Sequence, residues 1–477
     1  MSTKIRAFVG AAVVAFLSAC AVGPDYRTPD TRSPDEFVPV EGAQFSSADV
    51  EREFWTSFHD PQLNDLVENA LAANHDIRMA VARLREARAL RGEARLDFAP
   101  TVTSYAAHVD ARASERQTQV PGVNPEQEFY ETGFDAFWEL DFFGRVRRGV
   151  EARSAEVQSA EASVYSTQVS ITAEVARQYF ELRGAQQRLE VARRNADNQR
   201  ETLRITLARL DAGRGTQLDA SRAQAQLSAT LATIPDLEES VTRSILRLGV
   251  LIGKSPETLL ADLGAPRDLP ALPATHSIGT PEALLRRRPD ILGAERDLAA
   301  ATARIGVAVG DLFPRITFVG RWGFDAFDSS DLGDGGSETW SFGPSIQWAA
   351  FDLGRVKQRI NQREAAADGA LAKYEQTVLR ALEETDASLT AYAKALAKQE
   401  HLQTSATASL EAATLARVRF ESGVADFLTV LDAERSALAA EDQLAQSETQ
   451  TATALLATYK ALGGGFRPLS RQTSLQK

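Results

Sequence analysis

The sequence predicts a mainly α-helical chain with a smaller membrane β part, internally duplicated. Three observations lead to this prediction. Two very long stretches carry apolar residues at heptad spacing and contain no proline. Landmark residues of the first half recur in the second half at a fixed offset. Four shorter segments alternate apolar and polar residues with a period of two.

The duplication is visible in pairs of matching residues. At an offset of 210 positions the matches are Arg145 with Arg355, Gly213 with Gly423, and Leu218 with Leu428. At an offset of 214 positions, Asp76 and Pro100 match Asp290 and Pro314. A period this long indicates a duplicated domain half, because the repeats of solenoid proteins are far shorter.

Each half contains one very long predicted helix, at residues 145–211 and 355–421. The apolar residues of the first fall seven apart on either side of one eleven-residue step, as in a coiled coil with a stutter. They are Val150, Val157, Val164, Ile171, Leu182, Leu189, Ala196, Leu203 and Leu210. Leu382, Leu389 and Leu396 repeat the spacing in the second helix. Such a helix extends for roughly 100 Å, which suits an apparatus that crosses a wide compartment.

The first 20 residues have the pattern of an export signal. Lys4 and Arg6 precede an apolar run that is too short to span a bilayer and ends in Leu17-Ser18-Ala19-Cys20. This ending resembles the bacterial lipobox, in which the cysteine is lipidated and becomes the first residue of the mature chain. Cys20 is the only cysteine, so no internal disulfide is expected. The alternative is an ordinary signal peptide that contains a cysteine by chance.

Composition excludes several classes of partner and site. The net charge of −12 argues against nucleic acid and against anionic lipid headgroups as main partners. The five histidines are scattered without metal-ligand spacing, and the glycine-containing segment 249–255 has too few residues between its glycines for a phosphate loop. We therefore expect no enzyme activity, no metal, and no cofactor other than acyl groups on Cys20.

After the signal, residues 23–57 read as an extended strap, followed by short helices at 60–71 and 76–96. The period then changes from 3.6 to 2. The four alternating segments are residues 101–111, 130–141, 315–326 and 341–350. The first is the weakest, with Tyr105 and Val109 on its more apolar face.

Each alternating segment has about the length of a tilted membrane strand. Trp138, Trp322, Trp340 and Trp348 lie in or beside these segments, as in an aromatic girdle. The alternative is two soluble hairpins that pack one face on a core. Because four strands cannot sit in lipid with unpaired edges, a membrane barrel must be shared between chains. Two, three or four copies give eight, twelve or sixteen strands.

Three further stretches of the sequence are distinctive. The lipobox cysteine is followed by Val22-Gly23-Pro24-Asp25-Tyr26, and the chain closes with Tyr459-Lys460-Ala461-Leu462-Gly463-Gly464-Gly465. The most specific stretch is residues 419–435, RFESGVADFLTVLDAER. Together with the two β-hairpins and the two long helical hairpins, these stretches resemble the TolC-type outer-membrane efflux channels, in particular the lipoprotein subgroup that serves resistance–nodulation–division (RND) drug pumps. The resemblance covers essentially the whole chain.

The resemblance implies a homotrimer with a twelve-stranded outer-membrane β-barrel that continues into a long periplasmic α-helical barrel. It implies a passive duct for small molecules, including drugs, supplied by an inner-membrane RND pump through a periplasmic adaptor. Two alternatives remain: an exit duct for type I protein secretion, and a coiled-coil tether lipoprotein that conducts nothing. A tether would not need the four alternating strands.

The resemblance also assigns roles to the turns that follow the long helices. Leu428 would form an apolar constriction at the periplasmic mouth, and Asp432, four residues later on the same helix face, a three-fold acidic ring. Leu218 and Arg222 are their counterparts in the first repeat. From this symmetry we expect an Asp432–Arg222 link that holds the mouth shut. The alternative for Asp432 is an ordinary solvated helix residue.

Adaptor contacts are expected at the same turns, from Arg209, Gly213, Gly423 and Val424. For each glycine alone, a plain helix C-cap is an equally good interpretation.

The expected domains are a signal peptide (1–19), a lipidated extended segment (20–58), first-repeat short helices (59–99), a β-hairpin (100–144), a long helical hairpin (145–253), a linker and equatorial region (254–288), a second-repeat helix (289–313), a second β-hairpin (314–354), a second long helical hairpin (355–463) and a tail (464–477).

Overall fold

The computed structural model describes residues 21–31, 33–39, 45–48, 50–114, 126–273 and 276–468. The signal peptide, Cys20 and most of the C-terminal tail lie outside these residues. None of the helices in the described ranges has a stretch long and apolar enough to cross a membrane. The chain divides into two compact units, each assembled from three separate parts of the sequence.

The first unit comprises residues 1–30, 83–161 and 293–375 and contains a four-stranded antiparallel sheet. Its strands are β2 (Thr101–Arg112), β3 (Glu126–Glu139), β5 (Arg315–Ala326) and β6 (Glu338–Gln347), in that order across the sheet. All four predicted strands are therefore present. Strands β2 and β6 form the two edges, and a hairpin from each repeat meets at the β3–β5 pair.

Two strands, β3 and β6, differ from their predicted bounds by more than one residue at each end; β3 begins four residues earlier than predicted, at Glu126. Strand β3 ends before Asp141, whose carboxylate accepts hydrogen bonds from the backbone N–H of Val146 (3.0 Å) and Arg147 (2.9 Å) and so caps the following helix. Strand β6 begins and ends about three residues earlier than predicted, because residues 349–352 form a turn closed by Asp352 N–H and Ala349 C=O (2.9 Å).

The prediction that Tyr105 and Val109 lie on the apolar face of β2 is wrong, as the strand register shows. Tyr105 lies opposite Gly133, on the same side of the sheet as Glu131, Asp135 and Arg321. The apolar face instead takes Val102, Ser104 and Ala106 from β2, beside the apolar residues of the other strands (Phe134, Trp138, Phe318, Trp322, Phe342 and Ile346). The residues of β2 are small and alternate only weakly, so the register with β3 determines which face of β2 is apolar.

The second unit comprises residues 31–82, 162–292 and 376–477 and contains the largest hydrophobic core. Helix α1 (Pro61–Ala73) begins at Asp60, whose carboxylate accepts from the N–H of Gln62 and Leu63. The core includes Trp55, Phe58, Tyr179, Phe180 and Tyr459, all buried. A two-residue parallel pair joins β1 (Phe45–Ser46) to β4 (His276–Ser277).

The remaining helices include two short ones within residues 254–288, the predicted linker and equatorial region. They are α2 (His75–Leu96), α3 (Arg145–Asp211), α4 (Gln217–Leu251), α5 (Leu260–Leu263), α6 (Pro281–Arg287), α7 (Pro289–Gly310), α8 (Leu353–Glu421) and α9 (Phe427–Ala461). Helices α3 and α8 are the two very long helices that the heptads predict, with 67 and 69 residues. Each is followed by a helix of 35 residues.

Candidate functional site

The two turns between the long helices have the same geometry. In the first, Gly213 N–H donates to Leu210 C=O (2.9 Å) and Arg214 N–H to Arg209 C=O (2.8 Å); in the second, Gly423 donates to Phe420 and Val424 to Arg419, both at 2.9 Å. This is the Schellman arrangement, which requires a left-handed residue. Gly213 and Gly423 supply it with φ of 71° and 75°. The C-cap interpretation of both glycines is confirmed.

A side-chain oxygen caps the N-terminus of each helix that follows a turn, α4 and α9. Thr216 Oγ1 accepts from the N–H of Asp219 (3.2 Å), and the Asp426 carboxylate accepts from the N–H of Thr429 (2.9 Å). The hydroxyl and backbone donors of Thr429 hold the pKa of Asp426 below its usual range. The turn chemistry thus fixes the orientation of the helices that carry the predicted gate residues.

All four predicted gate residues lie on exposed helix surfaces. Leu218 and Leu428 are 57% and 54% exposed, although both are large and apolar. Arg222 and Asp432 are also exposed, and within the described chain no ion pair joins them. The predicted link between Arg222 and Asp432 across neighbouring helices is not formed within the described chain and stays a prediction. Val424, predicted to contact an adaptor, is exposed as well.

The opposite side of the same helices is tightly packed. Phe427, Val430 and Leu431 of α9 are buried against Phe420 of α8 and Ala223 of α4. Arg209 of α3 places its guanidinium 4.2 Å from the centre of the Phe420 ring and donates to the Phe420 carbonyl (3.0 Å). The Arg209–Phe420 contact thereby joins the two turns of one chain. Because one side of α9 is buried in this packing, Leu428 on its other side remains exposed.

Sequence reasoning missed a series of polar contacts that α9 makes with α3 and α8, which we call the polar ladder. Its acidic members are Glu434, Glu441 and Asp442. Thr202 and Arg417 donate to Glu434 Oε1 at 2.8 and 2.9 Å, Asn195 donates to Glu441 Oε2 at 2.8 Å, and Arg188 donates to Asp442 Oδ1 at 2.7 Å. The signal was present, because Phe427, Glu434 and Glu441 are spaced by seven residues, which places carboxylates at core positions.

Replacing Glu434 with Ala should loosen the turns. Glu434 is 6% exposed and bridges three helices, so its removal leaves Arg417 and Thr202 without their acceptor, at a cost of roughly 2–3 kcal/mol. We expect faster hydrogen exchange of backbone amides in the last turns of α3 and α8. Arg435→Ala changes an exposed neighbour on the same helix and should leave exchange unchanged. Equal exchange in both variants would contradict the role of Glu434.

A buried arginine, Arg148, holds the first described residues of the chain in place. Arg148 of α3 is 5% exposed at its side chain and donates to the carbonyls of Ala21, Val22 and Gly23 at 3.2–3.4 Å. It also pairs with Asp25 (2.6 Å) and Glu151 (2.8 Å). Cys20 itself lies outside the described residues, but the residue after it is held at a fixed place beside Gly144.

Two histidines have surroundings that their spacing along the chain did not reveal. His276 is buried, with Nε2 2.6 Å from Tyr392 Oη and Nδ1 3.3 Å from Tyr459 Oη. Burial lowers the pKa of His276 to about 4. The exposed side chains of His108, Asp110 and Glu128 have ligand-type atoms within 4.8 Å of one another. Cross-strand pairing brings these three together, so sequence spacing did not show them.

The four tryptophans predicted as a girdle lie toward the two ends of the sheet. Trp138 and Trp348 are at the end that joins the helices, where their Nε1 atoms donate to Phe98 C=O and Leu312 C=O, both at 3.0 Å. Trp322 and Trp340 face each other across β5 and β6, nearer the hairpin tips. All four belong to the apolar face or its continuation, and their girdle role stays a prediction.

Comparison with known proteins agrees with this architecture. The family model for the outer membrane efflux protein matches twice, at residues 66–254 and 280–464, in agreement with the duplication. The solved outer-membrane channel OprN is 45% identical with a TM-score of 0.86, over 94% of this chain and 99% of that one.

Two relatives span nearly the whole sequence. Nodulation protein T of Rhizobium leguminosarum bv. trifolii is 30% identical over 95% of this chain and 96% of its own length. The probable efflux pump outer membrane protein TtgC of Pseudomonas putida is 30% identical over 99% of this chain and 98% of its own. The chain therefore belongs to the outer membrane efflux protein family.

Proposed function

We propose that this protein is the outer-membrane channel of a tripartite efflux pump and acts as a homotrimer. The observation that carries the proposal is the four-stranded sheet. It has one apolar face, one charged face, and two edge strands, β2 and β6, without a partner strand among the described residues. Such a sheet is stable in a bilayer only when neighbouring copies close it.

Three copies would close the sheet into a twelve-stranded barrel. Edge strand β6 of one chain would pair with β2 of the next, the apolar face would contact lipid, and the charged face would line the pore. Family membership supports this number of copies. The long helices α3 and α8 would extend the duct into the periplasm, where their turns meet the adaptor.

The exposed residues at the turns supply the gate in this proposal. Leu218 and Leu428 would narrow the mouth with apolar side chains, and three copies of Asp432 would form an acidic ring on the axis. The ring attracts cations, and a pair with Arg222 of a neighbouring helix keeps the mouth closed. Arg209, Gly213, Gly423 and Val424 present the adaptor-binding surface, and Arg209 does so while tied to Phe420.

The partners and cargo follow from the same assignment. A periplasmic adaptor and an inner-membrane RND pump drive export, and the channel conducts small molecules passively, without bond-making chemistry. One relative is named as part of an efflux pump, which supports this cargo class. A lipid on Cys20 would anchor the chain, and the contacts of Arg148 with residues 21–25 support this role because they hold the segment that follows Cys20.

Native mass spectrometry of the detergent-purified protein tests the assembly and the anchor together. We expect three chains per particle, each starting at Cys20 and carrying the mass of a diacylglycerol and one further acyl chain. A monomer or a dimer would overturn the twelve-stranded barrel. A trimer whose chains lack the acyl mass would overturn the lipid anchor alone.

A further inference from the structure

A compact charged cluster lies on the polar face of the strands, centred on Arg321. Cross-strand pairing arranges this face in rows: Asp135 lies beside Arg321, and four residues further along, Glu131 lies beside Asp325. The Arg321 guanidinium does not stay in its own row. It reaches Glu131 Oε2 (3.4 Å) and Asp325 Oδ1 (3.3 Å) in the other row.

The row between these two contains glycines, which makes room for that reach. Gly133 and Gly323 lie opposite each other, and a Cβ on either would be within 2.9 Å of the Tyr105 hydroxyl. The Tyr105 side chain therefore lies across both glycines. Arg321 Nε donates to Tyr105 Oη (2.8 Å), and the guanidinium lies 4.8 Å from the centre of the Tyr105 ring.

The charges at this level do not balance. Arg321 is shared by two carboxylates, and a third, Asp135, forms no ion pair with any described residue. Three carboxylates and one guanidinium leave a net charge of −2 per chain. In a closed trimer these groups would surround one aqueous channel with low-dielectric walls, which strengthens their effect on passing ions.

We propose that Arg321 and Asp135 set the ion selectivity of the strand-lined part of the channel, separately from the helical turns. The inference rests on the proposed trimeric channel. Arg321 moderates the preference for cations by neutralising part of the acidic cluster, and Asp135 supplies charge that nothing offsets. Removing Arg321 would bring the net charge at this level to −3 per chain, and removing the charge of Asp135 would bring it to −1.

The test is the zero-current potential of single channels in planar bilayers with a tenfold KCl gradient across the membrane. We expect Arg321→Gln to raise the potassium-to-chloride permeability ratio at least twofold. Arg321→Lys keeps the charge and should restore a ratio near that of the wild type. Asp135→Asn should lower the ratio at least twofold. Because Asp135 has no described partner, this variant should fold even if Arg321→Gln does not.

Ser341→Ala is the matched control, since Ser341 lies opposite Arg321 in the same row and carries no charge. Its ratio should equal that of the wild type. An unchanged ratio in Asp135→Asn, or in a folded Arg321→Gln trimer, would overturn the inference while leaving the channel in place. If the wild-type trimer never conducts, the proposed function fails and this inference fails with it.

Discussion

Replacing Arg148 with Ala is expected to release the segment of residues 21–25 that follows Cys20. Arg148 binds three consecutive carbonyls and Asp25, and because its side chain is buried, water does not easily replace it. The loss should cost roughly 2 kcal/mol locally, because charged hydrogen bonds to carbonyls are lost together. Trypsin cleavage after Arg27 should then accelerate by about 30-fold, since cleavage follows the population of the open segment.

Arg153→Ala provides the control for this experiment. Arg153 lies further along the same helix, is more exposed, and pairs with Glu156 rather than with residues 21–25. Its cleavage rate after Arg27 should match that of the wild type. Equal rates in Arg148→Ala and Arg153→Ala would show that the segment is held by other contacts, such as Tyr26 Oη with Glu295 (2.9 Å).

His276 should make the stability of the second unit depend on pH. Burial depresses the pKa of His276 to about 4, from 6.5. As the pH falls below 6.5 the unfolded chain takes up a proton that the folded chain does not, so the folded state loses stability down to about pH 4. The full loss corresponds to roughly 3 kcal/mol in the free energy of unfolding. Above pH 6.5 the contribution is constant.

Thermal unfolding of His276→Gln and the wild type between pH 4 and 7 measures this effect. Other groups titrate in both proteins, so the difference between the two curves reports His276 alone. The variant should lose less stability on acidification. His401→Gln, which changes an exposed histidine of α8, should follow the wild-type curve. Parallel curves for His276→Gln and the wild type would contradict the assignment.

Local and periodic features of this fold were predictable from the sequence. Heptads predicted α3 and α8, the glycines predicted both turns, and period-two alternation located all four strands. Each depends on neighbours within a few residues, where covalent geometry and side-chain spacing dominate. The duplication added a check, because each half predicted the other.

The missed features depend on contacts between distant residues. Arg148 donates hydrogen bonds to residues more than 120 positions earlier in the chain, and the sequence around Arg148 does not distinguish it from other helix arginines. The face of β2 was assigned wrongly because its residues are small and the register with β3 decides. Exposed gate residues were placed by family resemblance, since exposure of Leu428 in one chain does not by itself identify a pore axis.

The second missed class is buried polar groups. Glu434 and Glu441 look like solvated helix residues by type, yet both lie in helix contacts with partners from another hairpin. Their heptad spacing with Phe427 was the available signal. A buried carboxylate is tolerated where its donors are in place, so the donors Thr202 and Asn195, also seven apart, complete the pattern.

Single-channel conductance in planar bilayers tests the central claim most directly, with wild type, Asp432→Ala and Arg222→Ala measured side by side. A trimeric pore closed at the turns should show a small, cation-preferring conductance that rises several-fold in either variant. Arg435→Ala, exposed on the same helix as Asp432, should match the wild type. If the wild type conducts and neither variant differs, the gate assignment is wrong. If folded, acylated trimers never conduct in any variant, the channel itself is contradicted.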